Sequence, residues 1–303
     1  MTDGIAPSAL VRPVPHRPSV GTRLATLLAD WSLALPLILL AGFMLVTPVI
    51  AMVLASFTTG DGAFTLDNWT QTYRSLSAQR AIGNSLALAA AVATIALLVG
   101  APLSWIVSRL TRLSRSLHLG ILNVATNFSG IGLGFAYVAT LGAFGMVTLA
   151  MKRVGIDAAP PPQASFWGLV MAYEYSNVPL FVLLSLPAMS LLRDEWWEAA
   201  QTSAATRLQF WRYIGWPVLR PFLLADWLLI FTWSVGMYGV PVAFEGDRPA
   251  AYRLVTVEMY RSLFGSLFGE RRMPVFAVSL MVLAVASLLA YRLITRTGNR
   301  WLT

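Results

Sequence analysis

The sequence predicts an all-α membrane protein of six transmembrane helices, with both termini on the same side of the bilayer. Three observations carry this. Of 303 residues, 57% are hydrophobic and only 12% charged, whereas a soluble domain carries about 25% charged residues. Six apolar segments are long enough to cross about 30 Å of hydrocarbon at about 1.5 Å per residue. Basic residues are denser in alternate connections, the asymmetry that sets membrane orientation.

The spans are expected near 32–57, 82–108, 119–149, 164–192, 218–244 and 273–294. Residues 1–31, with Pro13, Pro15, Pro18, Arg12 and Arg17, read as a cytoplasmic, disordered or surface-lying lead-in. Residues 32–303 then form the six-helix domain. The first span is too long, and too far from the start, for a cleaved signal peptide.

The amino-terminal tail, the second and fourth connections and the carboxy-terminal tail together hold 13 basic residues, including Arg109, Arg193, Arg207 and Arg220. The first, third and fifth connections hold nine; five of these are in the fifth, beside Glu245, Asp247, Glu258 and Glu270. Both termini and the loop 193–217 are therefore expected in the cytoplasm. Segments 58–81 and 245–272 fall outside. Apolar residues at helical spacing in 254–268 suggest an interfacial helix there.

Composition excludes several functions. With no cysteine, thiolate metal centres have no ligands, and His16 and His118 alone are too few for a histidine centre. A net charge of +8 would raise nucleic acid as a partner in a soluble protein. In a membrane chain it reads instead as orientation signal and contact with anionic lipid. Eleven Trp, 15 Phe and nine Tyr suit two interfacial aromatic belts. No GxxxxGK[ST] phosphate loop is present, so no ATP site is expected here.

The polar stretch EAAQTSAATRLQFWRYIGWP at 198–217 stands out in so apolar a chain. Helix formers dominate 195–205, and a second short helix is expected over 209–215, so the loop reads as two short helices joined by a turn. Pro217 and Pro221 are expected in the first turn of the next span, where a missing N–H is harmless.

Glu198, Ala199 and Ala200, then Ala204 four positions on, then Ile214 and Pro217, resemble the EAA loop of permease subunits of bacterial ABC importers. In that family the small residue at position 204 is Gly. Ala does not adopt positive φ freely, so a different or smoother bend is expected here. The resemblance extends from about residue 35 to the end. It includes Asn84-Ser85-Leu86, Gly100-Ala101-Pro102-Leu103-Ser104 with Arg109, and Thr65–Trp69. The spermidine/putrescine-type permeases are the most similar branch, through 127–142 and 195–221, although Met237 stands where many of them carry an acid.

The resemblance implies a type I ABC importer permease fold, with Glu198, Ala199, Ala200, Ala204, Ile214 and Pro217 as the ATPase-coupling element. It implies two copies of an ABC ATPase that hold ATP and Mg, a second permease subunit forming a heterodimer, and an extracytoplasmic binding protein. The chain itself would bind no cofactor, have no enzymatic activity, and sit multi-pass in the bacterial inner membrane. The expected cargo is a polyamine or other cation; ferric iron, thiamine or another small solute is the alternative.

Within the spans, carboxylates cost about 2.5–3.5 kcal/mol at mid-bilayer, so they usually face water or a partner. Glu174 and Asp226 are accordingly candidate pathway residues. Asn177 and Asn127 are the candidate polar lining, and Tyr238 a gate beside Gly236, Gly239 and Pro241, which should unwind the fifth span. Gly130 and Gly134 form a GxxxG packing pair. An ion-coupled secondary transporter would leave the loop 193–217 unexplained. A membrane-embedded enzyme would lack a nucleophile with its base.

Overall fold

A computed structural model describes residues 34–156, 165–245, 252–264 and 272–299. The expected lead-in 1–31 and the stretches 246–251 and 265–271 of the 245–272 connection lie outside these. The chain divides between Ala51 and Met52 into two compact units. The first contributes most of α1 (Leu35–Ser56), whose sequence is apolar on every side, as a lipid-facing helix must be.

The second unit contains α2 (Asp67–Arg74), α3 (Leu76–Ser108), α4 (Arg112–Asn127), α5 (Gly130–Leu141), α6 (Met146–Arg153) and α7 (Phe166–Met189). It continues with α8 (Asp194–Thr202), α9 (Arg207–Phe210), a π-helical turn (Trp211–Gly215), α10 (Trp216–Gly236), α11 (Gly239–Glu245), α12 (Val255–Phe264) and α13 (Arg272–Asn299). Among the described residues the only strand-like feature is an isolated bridge between Thr58 and Phe64. Six helical stretches have the length and composition to span a membrane.

Three expected spans differ in outline. The second begins at Leu76, because Ser75 caps it by accepting from the Ala78 amide at 3.2 Å. The third is not one rod: the chain breaks at Phe128-Ser129, where Gly130 takes φ +72°, and again between Leu141 and Met146. The fifth stops at Gly236, turns extended at Met237 and restarts at Gly239, the unwinding expected from its Gly and Pro content.

The core lies where α3, α7 and α10 meet, around Leu88, Val92, Tyr173, Phe181 and Ile230. Small residues bring the helices close. A Cβ on Gly100 would meet the Phe181 ring at 2.8 Å, and Ser104 one turn later donates to the Val182 carbonyl at 3.4 Å. The Gly-Ala-Pro-Leu-Ser motif is thus the α3 surface that receives α7.

Asn84 and Ser85 hold a different element. Asn84 Nδ2 donates to the Arg253 carbonyl at 3.0 Å, and Ser85 Oγ accepts from the Val255 amide at 2.9 Å. This draws the start of α12 inward, so Leu254, Val255, Thr256 and Val257 are buried. The helix expected at the interface is instead packed into the bundle at its first turn, because its apolar face has α3 and α13 to bury against. In the 58–81 segment, buried Asn68 donates to the carbonyls of Ser56 and Thr58. Trp69 stacks between Phe57 and Tyr73.

Candidate functional site

Two regions gather the polar and strained features. The first is the loop 193–217. Helix α8 closes in a Schellman motif: the Ala205 amide donates to the Ala200 carbonyl at 3.0 Å, and the Ala204 amide to the Gln201 carbonyl at 2.9 Å. Ala204 has φ +55° and is the only non-glycine with positive φ among the described residues. The expectation of a different or smoother bend is therefore corrected. Ala takes the left-handed conformation that Gly would take, at a cost of about 1–2 kcal/mol, because two backbone hydrogen bonds and the following cap hold it there.

That cap is a reciprocal box. Thr206 Oγ1 accepts from the Gln209 amide at 3.3 Å, while the Thr206 amide donates to Gln209 Oε1 at 2.7 Å. From there the chain is helical without interruption to Gly236, so the second short helix expected at 209–215 is the entry to the fifth span itself. The turn widens to π geometry over Trp211–Gly215, with the Trp216 amide reaching back to the Trp211 carbonyl. Pro217 follows as the second residue of α10, directly after the π-helical turn. Pro221 lies deeper inside α10, not in the first turn as expected, and it removes one backbone bond there. Gly215 leaves room for the Trp211 ring; a Cβ would meet that ring at 2.6 Å.

Glu198 and Ala199 are exposed on α8. Ala199, Ala200, Ile214 and Pro217 line an apolar hollow of about 600 Å³ between the two arms of the loop, with Trp196 and Tyr213. The loop is braced from α3: Arg109 pairs with Asp194, donates to the Leu192 carbonyl at 3.0 Å and lies 4.2 Å over the Trp105 ring. Trp105 in turn meets Trp211 edge-on at 4.9 Å.

The second region is a cavity of about 890 Å³ where the breaks of the third and fifth spans meet. Along α10 it lies about 20–30 Å from the loop, at 1.5 Å per residue. Glycines make the meeting possible. A Cβ on Gly239 would lie 2.7 Å from Gly130 Cα, and one on Gly134 would strike Ala243. The broken backbone is satisfied by side chains that motif reading missed: Tyr173 Oη and Thr256 Oγ1 both donate to the Met237 carbonyl, at 3.3 and 3.1 Å. This is how irregular backbone is tolerated at membrane depth.

Asn127 and Tyr238 line the cavity, with Thr126, Ser129, Thr232 and Trp233. Tyr238 packs on Tyr260 with centroids 5.6 Å apart. Glu174, Asn177 and Asp226 do not line it. Asn177 is fully buried, donating to the Tyr173 carbonyl at 2.8 Å. Both Glu174 carboxylate oxygens are buried with no hydrogen-bond partner among the described residues. Asp226 lies on another side of α10, at a smaller cavity of about 280 Å³ with Tyr291 and Thr295. Among the described residues, no acidic or basic side chain lines the large cavity.

Segments of known transporters align with this chain. A molybdenum transport permease ModB of Azotobacter vinelandii is 25% identical over 180 residues, covering 59% of this chain and 78% of that protein. The spermidine/putrescine permease PotB of Haemophilus influenzae is 26% identical over 213 residues, 68% of this chain and 74% of that one. The sulfate permease CysT of Salmonella typhimurium is 38% identical over 80 residues, which span only 29% of its length. The fold matches a chain of a bacterial alginate ABC transporter, solved with its alginate-bound periplasmic protein. There the TM-score is 0.65 at 17% identity, over 93% of this chain and 98% of that one. The chain is similar to ABC transporter permeases in sequence and shares their fold. It is a multi-pass membrane protein with an ABC importer permease fold; the polyamine branch is one of several it resembles. No protein-family profile matches it.

Proposed function

We propose that the chain is the permease subunit of an ATP-driven importer in the bacterial inner membrane, passing a small solute from a binding protein to the cytoplasm. The observation that carries this reading is the loop 193–217: a short helix, a left-handed turn at Ala204 and a rigid continuation into a span. A protruding hairpin fused to a membrane helix transmits displacement at its tip into the bundle. Glu198, Ala199, Ala200, Ala204, Ile214 and Pro217 form the docking element for a separate ATPase present in two copies, which holds the ATP and Mg. Both termini lie in the cytoplasm, and a second permease completes the pathway.

For the cargo, the cavity lining favours a solute gripped by hydroxyls, amides and backbone dipoles. A small oxyanion, such as those for which the ModB and CysT relatives are named, is the first candidate. A polyamine or other cation is the second reading, supported by the likeness to the spermidine/putrescine permease PotB.

Co-purification with the products of neighbouring genes, followed by ATPase assays with binding protein and molybdate, sulfate, putrescine, spermidine, ferric iron or thiamine, tests the cargo. Stimulation by an oxyanion alone supports the first reading and stimulation by a cation the second. Glu198→Lys should abolish uptake while leaving binding-protein docking intact; normal uptake by that variant would overturn coupling through this loop.

A further inference from the structure

Between the loop 193–217 and the end of α3 lies a pocket of about 300 Å³, lined by loop residues other than the six assigned to ATPase docking. Arg109, Arg193 and Arg207 line it together with Trp105, Trp197 and a single acid, Asp194. Arg109 already engages Asp194. Arg193 and Arg207 have no carboxylate within ion-pair reach among the described residues; the Arg207 guanidinium stands 5.9 Å over the Trp197 ring. The pocket therefore carries an excess of two positive charges. Arg193 is also the N-cap residue of α8, whose first-turn amides receive no side-chain cap.

We propose that this pocket binds a phosphate group, held between Arg193 and Arg207 with Arg109 behind it. Guanidinium forks match phosphate oxygens two by two, which lysine does not. The pocket also lies at the end of a candidate span, where a span meets the headgroup layer, since Arg109 immediately follows the last residue of the apolar helix α3. Tryptophans and arginines are the residues that favour that layer. The phosphodiester of an anionic phospholipid and a free phosphate anion share this chemistry. A phosphate held here would tie α8 and α9 to the end of α3, so bound anion would stiffen the loop.

The full chain in neutral detergent can be titrated with short-chain phosphatidylglycerol, phosphatidylcholine and inorganic phosphate, with binding followed by native mass spectrometry. Phosphatidylglycerol should bind at least about tenfold more tightly than phosphatidylcholine, whose choline cancels the charge. The double variant Arg193→Gln/Arg207→Gln should lose about tenfold or more in affinity. Arg220→Gln, an exposed arginine elsewhere, should lose nothing. Competition by inorganic phosphate would assign the site to the free anion, and lipid binding without competition to the phospholipid. Equal lipid binding by the double variant, or no preference for phosphatidylglycerol, overturns the proposal. If the double variant melts early, Arg207→Gln alone supplies the readout, since that side chain is exposed.

Discussion

Arg109, the residue that closes α3, pairs with Asp194 in the first turn of α8 while its guanidinium lies 4.2 Å over the ring of Trp105. One side chain thus ties the end of a span to the start of the candidate coupling helix. The pair itself is exposed and contributes about 0–1 kcal/mol, so Asp194→Ala should lower stability by no more than that. Arg109→Ala also removes the bond to the Leu192 carbonyl and the contact with Trp105, and about 1–2 kcal/mol is expected. Thermal unfolding of the two variants in detergent checks the order.

Ala204 holds a conformation natural to glycine. Ala204→Gly should therefore stabilise the loop by about 1 kcal/mol, the relieved strain less the extra freedom of the unfolded chain. Ala204→Val, branched at Cβ, should destabilise it. Melting temperatures of both variants, with uptake by Ala204→Gly retained, form the test.

The two span breaks are joined by glycine contacts, and the glycines there are not equivalent. Gly239→Ala and Gly134→Ala place a methyl group against the backbone at Gly130 or against Ala243, and about 1–3 kcal/mol of destabilisation is expected for each. At Gly236 a Cβ meets nothing within 4 Å, and Gly236→Ala should be neutral or slightly stabilising. Uptake should follow the same order.

Ser85 supplies the acceptor for the buried amide of Val255. Ser85→Ala leaves that donor unpaired, at about 1–3 kcal/mol, and should release the start of α12. Faster hydrogen exchange over 252–260, with α3 and α7 unchanged, is the expected signature.

The candidate sites were legible in unequal measure. The coupling loop could be read because its information is local: Glu198-Ala199-Ala200, the small residue at 204 and Pro217 lie within 20 positions. The cavity could be read only in part. Asn127, Ser129 and Tyr238 announce themselves beside glycine-rich breaks, whereas Thr232 and Trp233 become lining only because distant breaks meet. Glu174 and Asp226 drew notice as charges in apolar helices, yet which side of a helix faces the cavity depends on packing against other helices.

By itself the sequence determined the class of solvent, the number of spans, the length of the first, fourth and sixth rods within a turn or two, and the polar loop among them. These follow from apolar run length, Gly and Pro placement and charge density, all properties of one segment at a time. Tertiary structure decided the rest: that Asn84 and Ser85 hold α12, and that Gly130 and Gly239 share one contact. Each of these pairs a group with a partner far away in the chain, and no single segment contains both sides of the contact.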